Sequence, residues 1–177
     1  MILITLCVPG NVGLQAQVSG QSGEYQLKAV FIFNFSQFVE WPESALPSDV
    51  SPFVIGILGE NPFNNYLEQI VSGEKINNHP IVIQRYTKTE DIKTCHILFI
   101  NLADARKQEQ ALALLKERRI LTISESNNFL QSGGMVRLFT KDNKIKFQVN
   151  VEATNAANLL VSSKLLRLAD IFTPKKG

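Results

Sequence analysis

Phe53-Val54-Ile55-Gly56-Ile57-Leu58-Gly59, followed by Glu60-Asn61-Pro62, is the stretch that decides the fold. It is short and almost wholly apolar, the composition of a strand buried on both faces of a sheet. The Asn-Pro pair after it suits the cap and first position of a helix running to about Ser72. Downstream, Pro80–Tyr86 reads as a second strand, Cys95–Ile100 as a third, Arg106–Arg118 as a helix and Ile120–Ile123 as a fourth strand. The order β-α-β-β-α-β predicts parallel pairing with right-handed crossovers. Met135–Thr140 and Lys144–Val149 flank Lys141-Asp142-Asn143-Lys144, a hairpin signature. A last helix is expected from Glu152 to Asp170, with Ala153, Ala156, Ala157, Leu160, Leu165 and Leu168 among its apolar positions. The expected class is therefore α/β: a three-layer sandwich with a mostly parallel central sheet, an antiparallel hairpin edge and helices on both faces.

Upstream of the first strand, Glu24 to Trp41 reads as a helix stopped by Pro42. Leu27, Phe31, Asn34, Phe35 and Phe38 share one face by the i, i+4, i+7 rule, while Val30, Phe33 and Trp41 fall outside it. So much apolar surface exceeds what one sheet face covers. Phe31, Phe35 and Phe38 are expected in the core with Leu27, and Phe33 and Trp41 at a dimer or partner surface.

The 177 residues are 45% apolar and 19% charged, which fits one core. Met1–Val8 is a short apolar run, and Ala16 offers the small residue that a signal peptidase prefers. Residues 1–16 are therefore expected to be a signal peptide, 17–23 a linker, 24–172 one domain and 173–177 a tail. A buried N-terminal strand is the alternative reading of the run. Net charge is +2, with Lys and Arg scattered among acidic residues, so no nucleic-acid footprint is present. After processing only Cys95 would remain, which excludes an intramolecular disulfide.

Catalytic chemistry needs a nucleophile, a base and an orienting group within reach, or ligands at metal spacing. His79 and His96 lie in no metal-binding arrangement, and Cys95 and His96, adjacent on a strand, point to opposite faces and cannot form a dyad. Gly56 and Gly59 lack the third glycine of a dinucleotide loop, and no phosphate-binding P-loop occurs. No enzyme activity, metal or cofactor is expected. In an open α/β sheet a ligand binds beyond the carboxyl ends of the strands. Those ends carry Gly59, Glu60, Asn61, Asn101, Ser124, Glu125 and Ser126, which could hold a small polar or anionic ligand, although Asn61 and Ser126 are also ordinary helix caps. Gly133-Gly134 is expected to supply unusual φ angles, and Asn150 to cap a helix or turn.

Lys28-Ala29, Asn34-Phe35 and Phe38-Val39-Glu40-Trp41-Pro42 together resemble the opening signature of the YfiR-like family of exported bacterial domains. Further blocks follow in the same order: Phe53–Gly59 with Pro62-Phe63, Cys95–Ile100, Leu121–Ser124, Phe129 with Gly133-Gly134-Met135, Phe147 with Val149-Asn150, and Ser162–Ala169. The resemblance implies a periplasmic domain, usually a homodimer, that binds the periplasmic sensor part of an inner-membrane diguanylate cyclase and represses it, lowering cyclic di-GMP and disfavouring biofilm. It also implies disulfides in members with further cysteines, a form of redox control that a lone Cys95 would not support. The competing expectation is a periplasmic small-molecule sensor using the strand-end cleft.

Overall fold

A computed structural model describes residues 19–46, 48 and 50–174. The expected signal peptide and its cleavage point lie outside these residues, as do positions 175–177 of the tail. The chain opens with α1 (Ser19–Phe38), β1 (Val39–Glu40), β2 (Phe53–Gly59), α2 (Tyr66–Val71), β3 (Lys75–Ile76) and β4 (His79–Tyr86). Next come β5 (Ile97–Asn101), α3 (Ala105–Leu115), β6 (Leu121–Ser124), β7 (Val136–Lys141) and β8 (Lys144–Val149). The last segment holds α4 (Val151–Ala156), β9 (Leu160–Val161), α5 (Ser163–Leu166) and β10 (Asp170–Ile171).

Eight strands form one sheet in the order β10-β8-β7-β6-β5-β2-β4-β3, and β1 and β9 pair separately. β2 lies between β4 and β5 and is parallel to both; β5–β6, β6–β7 and β8–β10 are also parallel. Successive strand residues point to opposite faces, which splits the apolar runs between two cores. Phe53, Ile55 and Ile57 of β2 join Ala29, Ile32 and Phe35 of α1 and Leu67 and Val71 of α2. Val54 and Leu58 join Ala111, Leu112 and Leu115 of α3 on the other face. The three-layer α/β architecture is thus as expected, with α1 and α2 on one side of a mostly parallel sheet and α3 on the other.

Both ends of α1 differ from expectation. The supposed linker is helical from Ser19, and the Ser22 hydroxyl lies 2.5 Å from that of Tyr66, fastening the first turns to α2. That contact helps offset the cost of Gly23, about 1 kcal/mol in a helix interior. At the other end the helix stops at Phe38, because Val39 and Glu40 leave it to pair antiparallel with Val161 and Leu160.

The helix is also rotated relative to the apolar stripe read from sequence. Lys28, Ala29, Ile32, Phe35, Ser36 and Val39 face inward, while Leu27 is 56% and Phe38 37% exposed. The polar members of the inner face have partners: the Ser36 hydroxyl donates to Phe33 O at 2.5 Å, and the Lys28 ammonium reaches two carboxylates described below. Phe31 sits at the edge, its ring 5.8 Å from that of Phe147. Phe33 and Trp41 are half-buried and pack against the core.

Two further segments depart from the sequence reading. Asn61 does not cap α2; its Oδ1 accepts the Phe63 N–H at 3.0 Å in a tight turn, and the helix starts at Tyr66. The single helix expected from Glu152 to Asp170 is broken into α4, β9, α5 and β10. Asn158, at φ 56°, ends the first piece in a left-handed conformation, and the Ser162 hydroxyl accepts the Leu165 N–H at 3.3 Å to start the second. Because β10 pairs with β8, the β7–β8 hairpin is not the sheet edge. Its turn residues Asp142 and Asn143, at φ 50° and 57°, match the mirror-type turn that twisted hairpins favour.

Candidate functional site

At the carboxyl ends of β2, β5 and β6, Glu60 bonds to Asn101 and Ser126 N–H to Ser124 Oγ, while the other sequence-expected residues bond mainly to their neighbours. Gly59 lies opposite Asn101 in the β2–β5 register. Beside it, the Glu60 N–H donates to Asn101 O at 3.2 Å and the Asn101 Nδ2 donates to Glu60 O at 3.0 Å. Asn61 spends its amide on Asn64 O at 2.8 Å. Ser124 is buried and donates to Ile100 O at 2.8 Å, and Ser126 accepts from Gln108 Nε2 at 3.3 Å. This network fastens the strand ends to each other, and none of the six residues lines the cavity of about 800 Å³ elsewhere on the molecule.

Next to this network stands a charged cluster that the sequence reading missed. The Lys28 side chain is 3% exposed, on the inner face of α1, and its ammonium bridges Glu24, one turn earlier, and Glu125, just beyond β6. The Tyr25 hydroxyl donates to Glu125 Oε2 at 3.1 Å, and the Tyr25 ring lies under the ammonium at 4.8 Å. Thr140 of β7 donates to Glu24 Oε1 at 2.7 Å. Burial pulls the Lys28 pKa down, but the bonds to Glu125 and Glu24 outweigh it and hold the group above its ordinary value. The bonds from Lys28 and Thr140 keep Glu24 below the usual carboxylate value. One positive charge between two negative ones thus locks α1 to the ends of β6 and β7. The signal was available in the Glu24/Lys28 spacing, but Lys28 lay off the aromatic stripe.

At the opposite end of the sheet, Trp41 and His96 make a second cluster. The Phe53 ring packs edge-on to Trp41 at 4.9 Å and stacks on His96 at 4.6 Å. Since the Val54 N–H donates to His96 Nδ1 at 2.9 Å, that nitrogen is an acceptor, and Nε2 carries the hydrogen it gives to Ala45 O at 2.9 Å. The imidazole is therefore neutral, and burial holds its pKa below the ordinary value. A second ring proton would point at the Val54 N–H. Unfolded chains take up that proton near pH 6.5, before the folded one does. The contribution of His96 to stability is accordingly full above about pH 6.5 and is lost as pH falls through its depressed value. Denaturant titrations from pH 7.5 to 5 should show stability dropping with acidification, and His96→Phe should flatten that slope.

Cys95 faces away from His96, as alternation requires: its thiol lies 3.0 Å from Ile97 O in the α3-side core, and burial pushes its pKa up to about 12. A thiol so placed is a packing group. Among the described residues no three His, Cys, Asp or Glu side chains gather as a metal site. Gly133 has φ 92°, and Gly134 admits the Phe129 ring, which would lie 2.3 Å from a Cβ there. Asn150 caps α4, its Oδ1 accepting the Ala153 N–H at 3.0 Å.

Fold and clusters together define a three-layer α/β domain whose buried polar groups fasten strands and the first helix. The profile of the family described as YfiR/HmsC-like matches residues 25–170, and the chain belongs to that family. Membership is consistent with a periplasmic regulator of a diguanylate cyclase. Among the described residues no helix is long and apolar enough to cross a membrane.

Proposed function

We propose that this chain is an exported periplasmic regulator that binds the sensor part of an inner-membrane diguanylate cyclase and holds the enzyme inactive, with the outer face of α1 as its contact surface. The observation that carries the reading is that face. Leu27, Val30 and Phe38 are exposed there, with half-buried Phe31, Phe33 and Asn34 beside them. Exposed Leu160 and half-buried Trp41 extend it past the end of the helix, since β9 pairs with β1. An apolar strip with a polar rim is the usual make-up of a protein contact. The same face serves pairing of two copies, so a homodimer and the cyclase complex are alternative uses of one surface. The polar residues at the strand ends speak for regulation by binding and against turnover, because the Ser124 hydroxyl and the Asn61 and Asn101 amides are engaged in internal bonds.

Detergent-solubilised membranes passed over the immobilised protein, followed by mass spectrometry, test this. A membrane diguanylate cyclase should be retained by the natural protein and lost with Leu27→Glu/Phe38→Glu, whose exposed positions leave the core untouched. Retention of no cyclase, or equal retention by the double variant, would sink the reading.

A further inference from the structure

A cavity of about 800 Å³ opens between α3 and α4, away from both clusters and from the outer face of α1. Its volume falls in the range of small-molecule sites. Leu112, Leu115, Leu130, Met135 and Phe172 give it an apolar wall. Two nearly buried polar side chains interrupt that wall, Thr122 at 3% and Asn150 at 5% exposure. Each has a hydrogen left over. The Thr122 hydroxyl oxygen accepts the Met135 N–H at 3.2 Å, and the group makes no other hydrogen bond among the described residues. Asn150 Nδ2 gives one hydrogen to Leu130 O at 3.3 Å and keeps a second. Buried donors without acceptors are costly, so the cavity favours a guest that brings an acceptor. The charged residues of its lining are Glu109, Glu152 and Lys116, two carboxylates to one ammonium. The excess negative charge opposes an anionic guest, and the unused donors in the wall oppose an ammonium.

We propose that this cavity binds a small uncharged molecule with an apolar body and a carbonyl oxygen, the oxygen accepting from Thr122 and Asn150. This site is independent of the regulatory reading and lies apart from the strand-end residues Gly59–Asn61, Asn101, Ser124 and Ser126. N-hexylacetamide is a suitable probe, titrated against the ¹⁵N-labelled protein. Saturable shifts are expected at the amides of Leu130–Met135 and Ala153–Ala156, with hexanoate and hexylammonium binding about tenfold more weakly or worse. Ala113→Trp and Ala156→Trp place an indole at exposed lining positions without touching the core, and each should weaken the amide about tenfold while melting like the natural protein. The proposal is overturned by any of three results: no saturable shift, hexanoate binding as well as the amide, or undiminished binding by the folded tryptophan variants. Should one variant fail to fold, the other decides.

Discussion

Gly59→Ala is expected to destabilise the domain by roughly 3–5 kcal/mol, the sum of a strained backbone and an overpacked contact. Gly59 has φ 94°, a left-handed conformation that L side chains rarely adopt, and a Cβ there would lie 2.2 Å from the Asn101 carbonyl oxygen. That oxygen cannot yield, because it accepts the Glu60 N–H and belongs to β5, paired with β2 along its length. Relief would require parting two central strands. Chemical denaturation should show a large fall in midpoint with little change of slope. A loss under about 1 kcal/mol would mean that the strand ends are more pliant than their hydrogen bonds imply.

The second large effect separates the two faces of α1. Phe35 is fully buried and packs edge-on to Phe147 at 5.3 Å, whereas Phe38, less than a turn further on, is 37% exposed. Truncating Phe35 to alanine should cost about 3–5 kcal/mol, through lost burial and the cavity left behind. Phe38→Ala should cost under about 1 kcal/mol and act on association instead. Thermal unfolding and sedimentation equilibrium on both variants check the assignment. If Phe38→Ala unfolds as readily as Phe35→Ala, the helix is rotated from the position described.

What could be read from sequence follows from where the physical signal is local. β2, β5 and β6 announce themselves because a parallel strand buried on both faces must be apolar throughout, and the β7–β8 hairpin because its turn needs residues that tolerate positive φ. The phase of α1 was not legible in the same way. Four phenylalanines nearly encircle it, and the true inner face sets small and charged side chains, Ala29, Ser36 and Lys28, beside Ile32 and Phe35. The burial of Lys28 is matched by Glu125, far along the chain, and no local periodicity carries that information. Glu152 to Asp170 read as one helix for a related reason: β9 and β10 exist only because β1 and β8 await them. The strand-end residues were found where topology puts them, but which of their atoms remain unused depends on hydrogen bonds between strands.

The pairing of β1 with β9 has a consequence for how the protein is made. Val39 emerges from the ribosome long before Val161, its strand partner, and Phe35 long before Phe147. Throughout most of synthesis the first helix therefore has β2 and α2 to pack on but lacks the contacts that β8 and β9 supply. Such a nascent segment is prone to sticking to other chains until the C-terminal strands arrive. Chaperone dependence should accordingly be greatest for truncated products ending before β8. Those fragments would hold the aromatic first helix without Phe147 and Val161, which complete its cover.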